Sequence, residues 1–110
     1  MMDMQDDWLR GLYSWASAND SVRELWLFGS RATGKSRPES DVDLALALMP
    51  PNGKHDWALG NYFAFENKWK RQLEEIVGRH VGLEPLVPGT DPDTTVRRSG
   101  VRLWSRGPKL

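Results

Sequence analysis

The chain of 110 residues contains no cysteine, only two histidines and a formal net charge of zero. The lack of cysteine excludes a disulfide framework, a thiolate zinc site and a cysteine nucleophile. Because 15 basic and 15 acidic residues cancel, there is no overall field to attract a nucleic acid, and a bound polyanion needs a local site. The sequence has no apolar run near the roughly 20 residues of a membrane span, and its acidic start lacks the order of a secretory signal. We expect a cytoplasmic protein.

The hydrophobic pattern predicts a single small α/β domain over residues 1–110. Segments whose apolar residues recur about every 3.6 positions, as in helices, alternate along the chain with short apolar segments typical of strands. The predicted helices cover 5–18, 57–78 and 94–99, and the predicted strands cover 22–28, 41–48 and 81–87, followed by a strand or tail at 101–104. Pro85 favours an edge position for the third strand, or an early end to it. The expected fold is a small mixed sheet with helices packed against it.

The loop after the first predicted strand matches two incompatible motifs. Residues 29–36, GSRATGKS, match the phosphate-binding pattern Gly, four residues, Gly-Lys-Ser/Thr. That motif works with a helix directly after the serine, whose N-terminal end helps to hold the phosphates. Here only residues 37–40 separate Ser36 from the next strand, and a crossover to a parallel strand needs a dozen or more residues. We therefore interpret this match as accidental.

Residues 29–43 also match Gly-Ser, ten residues, Asp-x-Asp. Side chains alternate along a strand, so Asp41 and Asp43 are predicted on one face, about 6.6 Å apart along the backbone. Carboxylate oxygens suit Mg²⁺, and two ions roughly 4 Å apart can clamp the attacking and leaving oxygens of a phosphoryl displacement. A turn at Gly29 and Ser30 would let backbone N–H groups approach a triphosphate. The cations that could offset phosphate charge are Arg31, Lys35 and Arg37.

The segment LFGSRATGKSRPESDVDLAL resembles the active-site hairpin of the minimal nucleotidyltransferases in the DNA polymerase β-like superfamily. The Gly-Ser, the ten-residue gap, the Arg after the Ser and the apolar run after the second Asp all agree with it. This resemblance implies the polymerase β-like palm fold and Mg²⁺-dependent transfer of a nucleoside monophosphate from ATP or another nucleoside triphosphate to a hydroxyl. It implies two metal ions held by Asp41, Asp43 and a third carboxylate, and a nucleotide held by Gly29, Ser30 and Arg31.

Glu84 is the first choice for the third carboxylate, as metal ligand and general base, although Pro85 departs from the apolar residue usual in the family. Asp91 and Asp93 are rivals, but their Asp-Pro-Asp-Thr setting is typical of a helix start. His55 and His80 have no metal-ligand spacing and are interpreted as surface or helix-end residues.

Many short chains in this family are antitoxins paired with a HEPN-domain ribonuclease toxin, which some silence by adenylylating a tyrosine. The resemblance therefore suggests an AMP transferase acting on a partner protein, within a homo- or hetero-oligomer. The alternative is an inactive binding module that neutralises its partner by contact. Six tryptophans are many for so small a core, so we expect the helix from Trp57 to Trp69, or the region of Trp104, to contact the partner.

Overall fold

The computed structural model describes residues 2–48, 57–87 and 91–106, with side chains at 2–48, 62–87 and 94–106. Helices and strands follow one another in the order α1 (Asp6–Ala18), β1 (Val22–Phe28), α2 (Ser30–Thr33), β2 (Val42–Leu48), α3 (Trp57–Val77), β3 (Val81–Pro85), α4 (Asp91–Ser99) and β4 (Val101–Ser105). His55 lies outside the described residues.

The four strands form one mixed sheet in the order β3-β2-β1-β4. β1 pairs antiparallel with both β2 and β4, whereas β2 and β3 are parallel and joined through α3. The parallel pairing requires a crossover connection, which α3 provides. β3 lies at the edge of the sheet, where Pro85 is tolerated because an edge strand can lack one N–H donor.

Helices α1 and α3 cover one face of the sheet. In α1, Trp8, Leu12 and Ala16 recur every four residues and are buried, so they form one stripe against the sheet. Buried side chains of α3, β1 and β2 complete this core: Tyr62, Trp69, Leu73, Val77, Val22, Leu25, Leu27, Val42, Leu44 and Leu46. Truncation of one buried leucine to alanine typically lowers the free energy of unfolding by about 2–5 kcal/mol. This core contains several buried leucines and is therefore the main source of stability.

A smaller cluster lies on the opposite face of the sheet. Ala45 and Ala47 of β2 are buried there with Leu86 and Val96, the latter from α4. β2 is therefore covered on both faces, as expected for a strand whose apolar residues run without alternation. The start of this central strand is where Asp41 and Asp43 lie.

The predicted mixed sheet with packed helices is confirmed, including the edge position of the third strand. Three details differ from the sequence-based prediction, the first being that β3 ends at Pro85 and not at residue 87. The loop after β1 contains the short helix α2, and β2 begins at Val42, so Asp41 lies just before the strand. Among the described residues, none of the helices is both long and apolar enough to cross a membrane.

Candidate active site

The turn after β1 begins at Gly29, where the chain leaves the sheet. Gly29 has φ +74° and ψ −155°, a conformation that residues with a Cβ strongly disfavour. Phe28, the residue before it, pairs with Asp43 on β2, so the turn lies beside the Asp43 carboxylate. A Cβ at residue 29 would collide with that carboxylate. Glycine is therefore required both by the backbone conformation and by the close approach to Asp43.

Ser30 opens α2 and follows Gly29 directly. Its carbonyl accepts hydrogen bonds from the Lys35 N–H at 2.9 Å and the Thr33 hydroxyl at 3.2 Å, and α2 ends at Gly34 in the left-handed conformation. The structure thus brings Gly29 and Ser30 together next to Asp43. Their part in nucleotide binding stays a prediction.

The Gly-Lys-Ser segment lies after α2 and does not lead into a helix. Ser36 donates from its hydroxyl to the Asp3 carboxylate at 2.7 Å and from its N–H at 3.2 Å. The hydroxyl that would hold Mg²⁺ in a phosphate-binding loop is thus bonded to a carboxylate of the N-terminal segment. The next strand, β2, runs antiparallel to β1. Both observations agree with the interpretation of this motif as accidental.

Asp41 and Asp43 lie together at the start of β2. The side chain of Asp41 is 59% exposed, whereas Asp43 is partly buried on the face of the sheet that carries Ala45. Burial raises the pKa of the Asp43 carboxyl, and the negative charge of Asp41 raises it further, while His80 lowers it. The charges of the two carboxylates therefore repel each other, while their joint role at a metal stays a prediction.

His80 is a neighbour of this pair that the sequence interpretation missed. Its Nδ1 lies 3.3 Å from Oδ2 of Asp41, and its carbonyl accepts a hydrogen bond of 2.9 Å from the N–H of Val42. The side chain is 60% exposed, which agrees with a surface position. Only the parallel pairing of β2 with β3 brings the two residues together, and no spacing in the sequence reveals that pairing.

The structure places Gly82, and not Glu84, directly beside Asp43. In the parallel ladder Asp43 pairs with Gly82 and Ala45 pairs with Glu84. A Cβ at residue 82 would approach the Asp43 Oδ1 to 2.7 Å, so the carboxylate rests against the glycine backbone. Glu84 lies two residues further along β3, about 6.6 Å by strand geometry, and is exposed.

Burial raises the pKa of the Tyr62 hydroxyl, and the negative charges of Glu66 and then Glu84 raise it further. The role of Glu84 as third ligand and base stays a prediction. Of its rivals, Asp91 is the first residue of α4, which agrees with a helix start, and the side chains of Asp91 and Asp93 lie outside the described residues.

The residues at this end of the sheet fit a hard divalent cation. Asp41 and Asp43 supply carboxylate oxygens, and a cation beside them would offset the repulsion that raises the pKa of Asp43. Mg²⁺ is commonly held by one or two carboxylates together with substrate phosphates and water. In the described part of the chain, no group of three His, Asp or Glu side chains could hold a metal ion. The donor set that fits is therefore Asp41 and Asp43, completed by oxygens from outside the chain.

Arg31, predicted to bind the nucleotide, is only 4% exposed. Its guanidinium donates hydrogen bonds to backbone carbonyls of the following loop and of the N-terminal segment, and it stacks on the Trp8 ring. Arg31 directly follows Ser30 in the sequence, but the structure buries its charged group against the backbone of the loop. Lys35 and Arg37, the other candidate cations, are exposed.

Comparisons with known proteins agree with this geometry. The profile of the family described as "Polymerase beta, Nucleotidyltransferase" matches residues 12–103. Two solved structures share the fold: a toxin-antitoxin with AMP-PNP, at 16% identity and a TM-score of 0.63, and a mutant of the toxin-antitoxin MntA-HpeT, at 17% identity and a TM-score of 0.66. Each alignment covers 89% of this chain and 73% of the other.

A search of curated proteins finds no significant match. The family profile spans both strands of the hairpin, the Gly29-Ser30 turn, Asp41 and Asp43, and it extends into β4. The chain belongs to the polymerase β nucleotidyltransferase family.

Proposed function

We propose that this chain is a Mg²⁺-dependent nucleotidyltransferase that moves AMP from ATP, or the corresponding group from another nucleoside triphosphate, to a hydroxyl on a partner protein. The observation that carries the proposal is the placement of Asp43 beside the Gly29-Ser30 turn, with Asp41 two residues before it. Two carboxylates at close range suit a cation bound to phosphate, and a glycine turn leaves room for the triphosphate itself.

In this proposal Gly29 and Ser30 bind the triphosphate, and Asp41 and Asp43 hold the metal. The acceptor oxygen forms a bond to the α-phosphorus, the bond from that phosphorus to the pyrophosphate oxygen breaks, and the acceptor proton passes to a base. Glu84 is the candidate for that base and for the third ligand. When bound, Mg²⁺ supplies positive charge that stabilises the phosphoryl oxygens during the displacement.

The proposed biological role is that of an antitoxin acting on a HEPN-type toxin. The two structural neighbours are toxin-antitoxin complexes, one of them with AMP-PNP. The MntA-HpeT mutant carries two Asp-to-Glu changes two positions apart, the same spacing as Asp41 and Asp43. These neighbours support an antitoxin role and an adenine nucleotide as substrate.

The partner is proposed to contact an exposed aromatic side chain of α3. Phe63 is 66% exposed and Phe65 is 41% exposed, and each packs by its ring on a more buried neighbour, Tyr62 and Trp69 respectively. Exposed aromatic side chains held in place by ring contacts are typical of protein interfaces. Both side chains lie in the predicted contact region between Trp57 and Trp69. Because residues two positions apart project from different sides of a helix, the contact is proposed at Phe63, the more exposed of the two.

A second candidate function is a binding module that neutralises the partner without catalysis. The observation that favours it is Gly82, because the position on β3 directly beside Asp43 carries no side chain. A site with two carboxylates has fewer groups for binding a second metal ion or accepting a proton.

One experiment separates the two functions. The protein is incubated with Mg²⁺, α-labelled nucleoside triphosphates and the protein encoded beside it, in parallel with Asp43→Asn. The matched control is Asp20→Asn, because Asp20 is exposed and lies before β1, at the opposite end of that strand from Gly29. Transferred label that is lost in Asp43→Asn and kept in Asp20→Asn supports the transferase.

Label transfer unchanged in Asp43→Asn would show that the catalytic assignment is wrong. If no label is transferred but the neighbouring protein is bound and inhibited, the chain is a binding module. In that case Phe63→Asp is expected to weaken binding, with Asp43→Asn without effect on it.

A further inference from the structure

Arg31 is a buried cation whose hydrogen bonds all go to backbone carbonyls. Its Nε and Nη2 donate to the carbonyl of Ser40 at 3.2 and 2.8 Å, and Nη2 also donates to Pro38 at 3.0 Å. Its Nη1 donates to the carbonyl of Asp3 at 3.1 Å, and its Cζ lies 5.1 Å from the centre of the Trp8 ring. Burial of a charge is costly unless its donors are satisfied, so these contacts hold the surrounding backbone firmly.

Ser40, which accepts two of these bonds, is the residue immediately before Asp41. The loop between α2 and β2 has no regular structure over residues 35–41 and closes on itself through two bonds between Arg37 and Ser40. The guanidinium of Arg31 ties this loop to α2, in addition to the hydrogen bond from the Lys35 N–H to the Ser30 carbonyl. Asp41 directly follows the carbonyl that Arg31 holds.

Residues 2–5, which we name the N-terminal strap, hold the same loop from the other side. The N–H of Asp3 donates to the carbonyl of Arg31 at 2.7 Å, and the Asp3 carboxylate accepts the hydroxyl and N–H of Ser36. The hydrogen bond from the Ser36 hydroxyl is the main reason that the pKa of Asp3 lies below its usual value. Arg79 adds a bond of 2.8 Å from its Nε to the carbonyl of Pro38.

We propose that Arg31 is a positioning residue: together with the N-terminal strap it fixes Ser40 and thereby places the Asp41 carboxylate, which holds the metal together with Asp43, and it does not itself bind phosphate. This proposal rests on the proposed metal role of the two carboxylates. Substitution of a residue that orients metal ligands typically costs 10- to 100-fold in metal affinity. Arg31→Lys keeps the charge but cannot supply the planar set of donors that reaches several carbonyls at once.

The test measures Mn²⁺ binding by electron paramagnetic resonance, without nucleotide, at a temperature where circular dichroism shows each variant to be folded. Arg31→Lys is expected to lower the Mn²⁺ affinity about 10-fold and to lower kcat, with the KM for the nucleoside triphosphate little changed. If Arg31 binds phosphate, the result is the reverse: an unchanged Mn²⁺ affinity and a raised KM. That result would overturn the proposal.

Asp3→Ala tests the strap without replacing a buried charge, and it carries the test alone if Arg31→Lys does not fold. It is expected to lower the Mn²⁺ affinity in the same direction and by a smaller factor, and an unchanged affinity in a folded Asp3→Ala protein would refute the proposal. Asp43→Asn separates this proposal from the one it rests on. If Asp43→Asn leaves Mn²⁺ binding intact, the metal assignment fails. If it removes binding while Arg31→Lys and Asp3→Ala leave it unchanged, only the positioning role fails.

Discussion

Replacement of Gly29 by alanine is expected to destabilise the fold and to damage the site at once. The backbone at Gly29, with φ +74° and ψ −155°, lies in a region that is almost restricted to glycine. Forcing a side chain into it costs about 1–3 kcal/mol. In a domain of about 100 residues each kcal/mol lowers the melting temperature by roughly 4–8 °C. The added Cβ also collides with the Asp43 carboxylate, so the carboxylate must move.

A displacement of about 1 Å in a reacting group can cost about 100-fold in rate, so label transfer by Gly29→Ala should fall by about that factor. Gly78→Ala is the matched control, because Gly78 also has a positive φ, +65°, but a Cβ there meets no atom within 4 Å. It should lower the melting temperature and leave label transfer near the wild-type rate.

A double-mutant cycle isolates the collision. In an Asp43→Ala background the carboxylate is gone, so Gly29→Ala should cost less free energy of unfolding than it does in the wild-type protein. Differential scanning calorimetry on the four proteins measures this difference. An equal cost in both backgrounds, or a Gly29→Ala protein with wild-type stability and activity, would refute the close approach of the turn to Asp43.

Three further outcomes are expected. Burial and the charge of Asp41 raise the pKa of Asp43, so the ionised carboxylate disfavours the folded state. In metal-free buffer, Asp43→Asn should therefore be more stable than the wild-type protein at neutral pH. This gain in the free energy of unfolding should develop as pH rises above 3.8 and through the folded-state pKa, and it should be absent at lower pH. A urea titration at several pH values measures this, and a gain confined to acid pH would contradict it. Lys35→Ala should lower the rate of label transfer only slightly, because Lys35 is exposed and follows α2. A complete loss of activity would restore the phosphate-loop interpretation. Glu84→Gln should lower label transfer by about 100-fold or more if Glu84 is the base, with Glu75→Gln, on the exposed side of α3, as control.

Helices α1, α3 and α4, strands β1, β2 and β3, and the loop containing the site could be predicted because each carries a local signal. The buried residues of α1 repeat every four positions. The apolar run of β2 directly follows Asp41 and Asp43. The Gly-Ser and Asp-x-Asp signals are also local, and the antiparallel hairpin brings them together without help from the rest of the fold. The hairpin could therefore be predicted from its own 15 residues, Gly29 to Asp43.

The buried contacts of Arg31 could not be predicted in the same way. In the sequence it is a cation next to a serine of a phosphate-type turn, which favours a phosphate contact. Its actual partners include Asp3 and Trp8, which lie more than twenty positions away and join the loop through α1 and the N-terminal strap. Whether a cation faces solvent or carbonyls depends on packing between distant segments, and no spacing in the sequence records it.

The third carboxylate shows where strand register becomes decisive. Glu84 is the only acidic residue within β3, so a sequence-based choice falls on it. The register between β2 and β3 pairs Asp43 with Gly82, and no local pattern in the sequence records it. A shift by one residue would turn the opposite face of β3 toward the site, whereas Glu84 is two residues away and remains on the same face as Gly82. Glu84 can therefore reach the metal only along the strand, past a glycine against which Asp43 already rests. If Glu84→Gln leaves label transfer intact, the proton acceptor must be a group other than Glu84, and the partner protein, which supplies the acceptor hydroxyl, is then the first place to look for it.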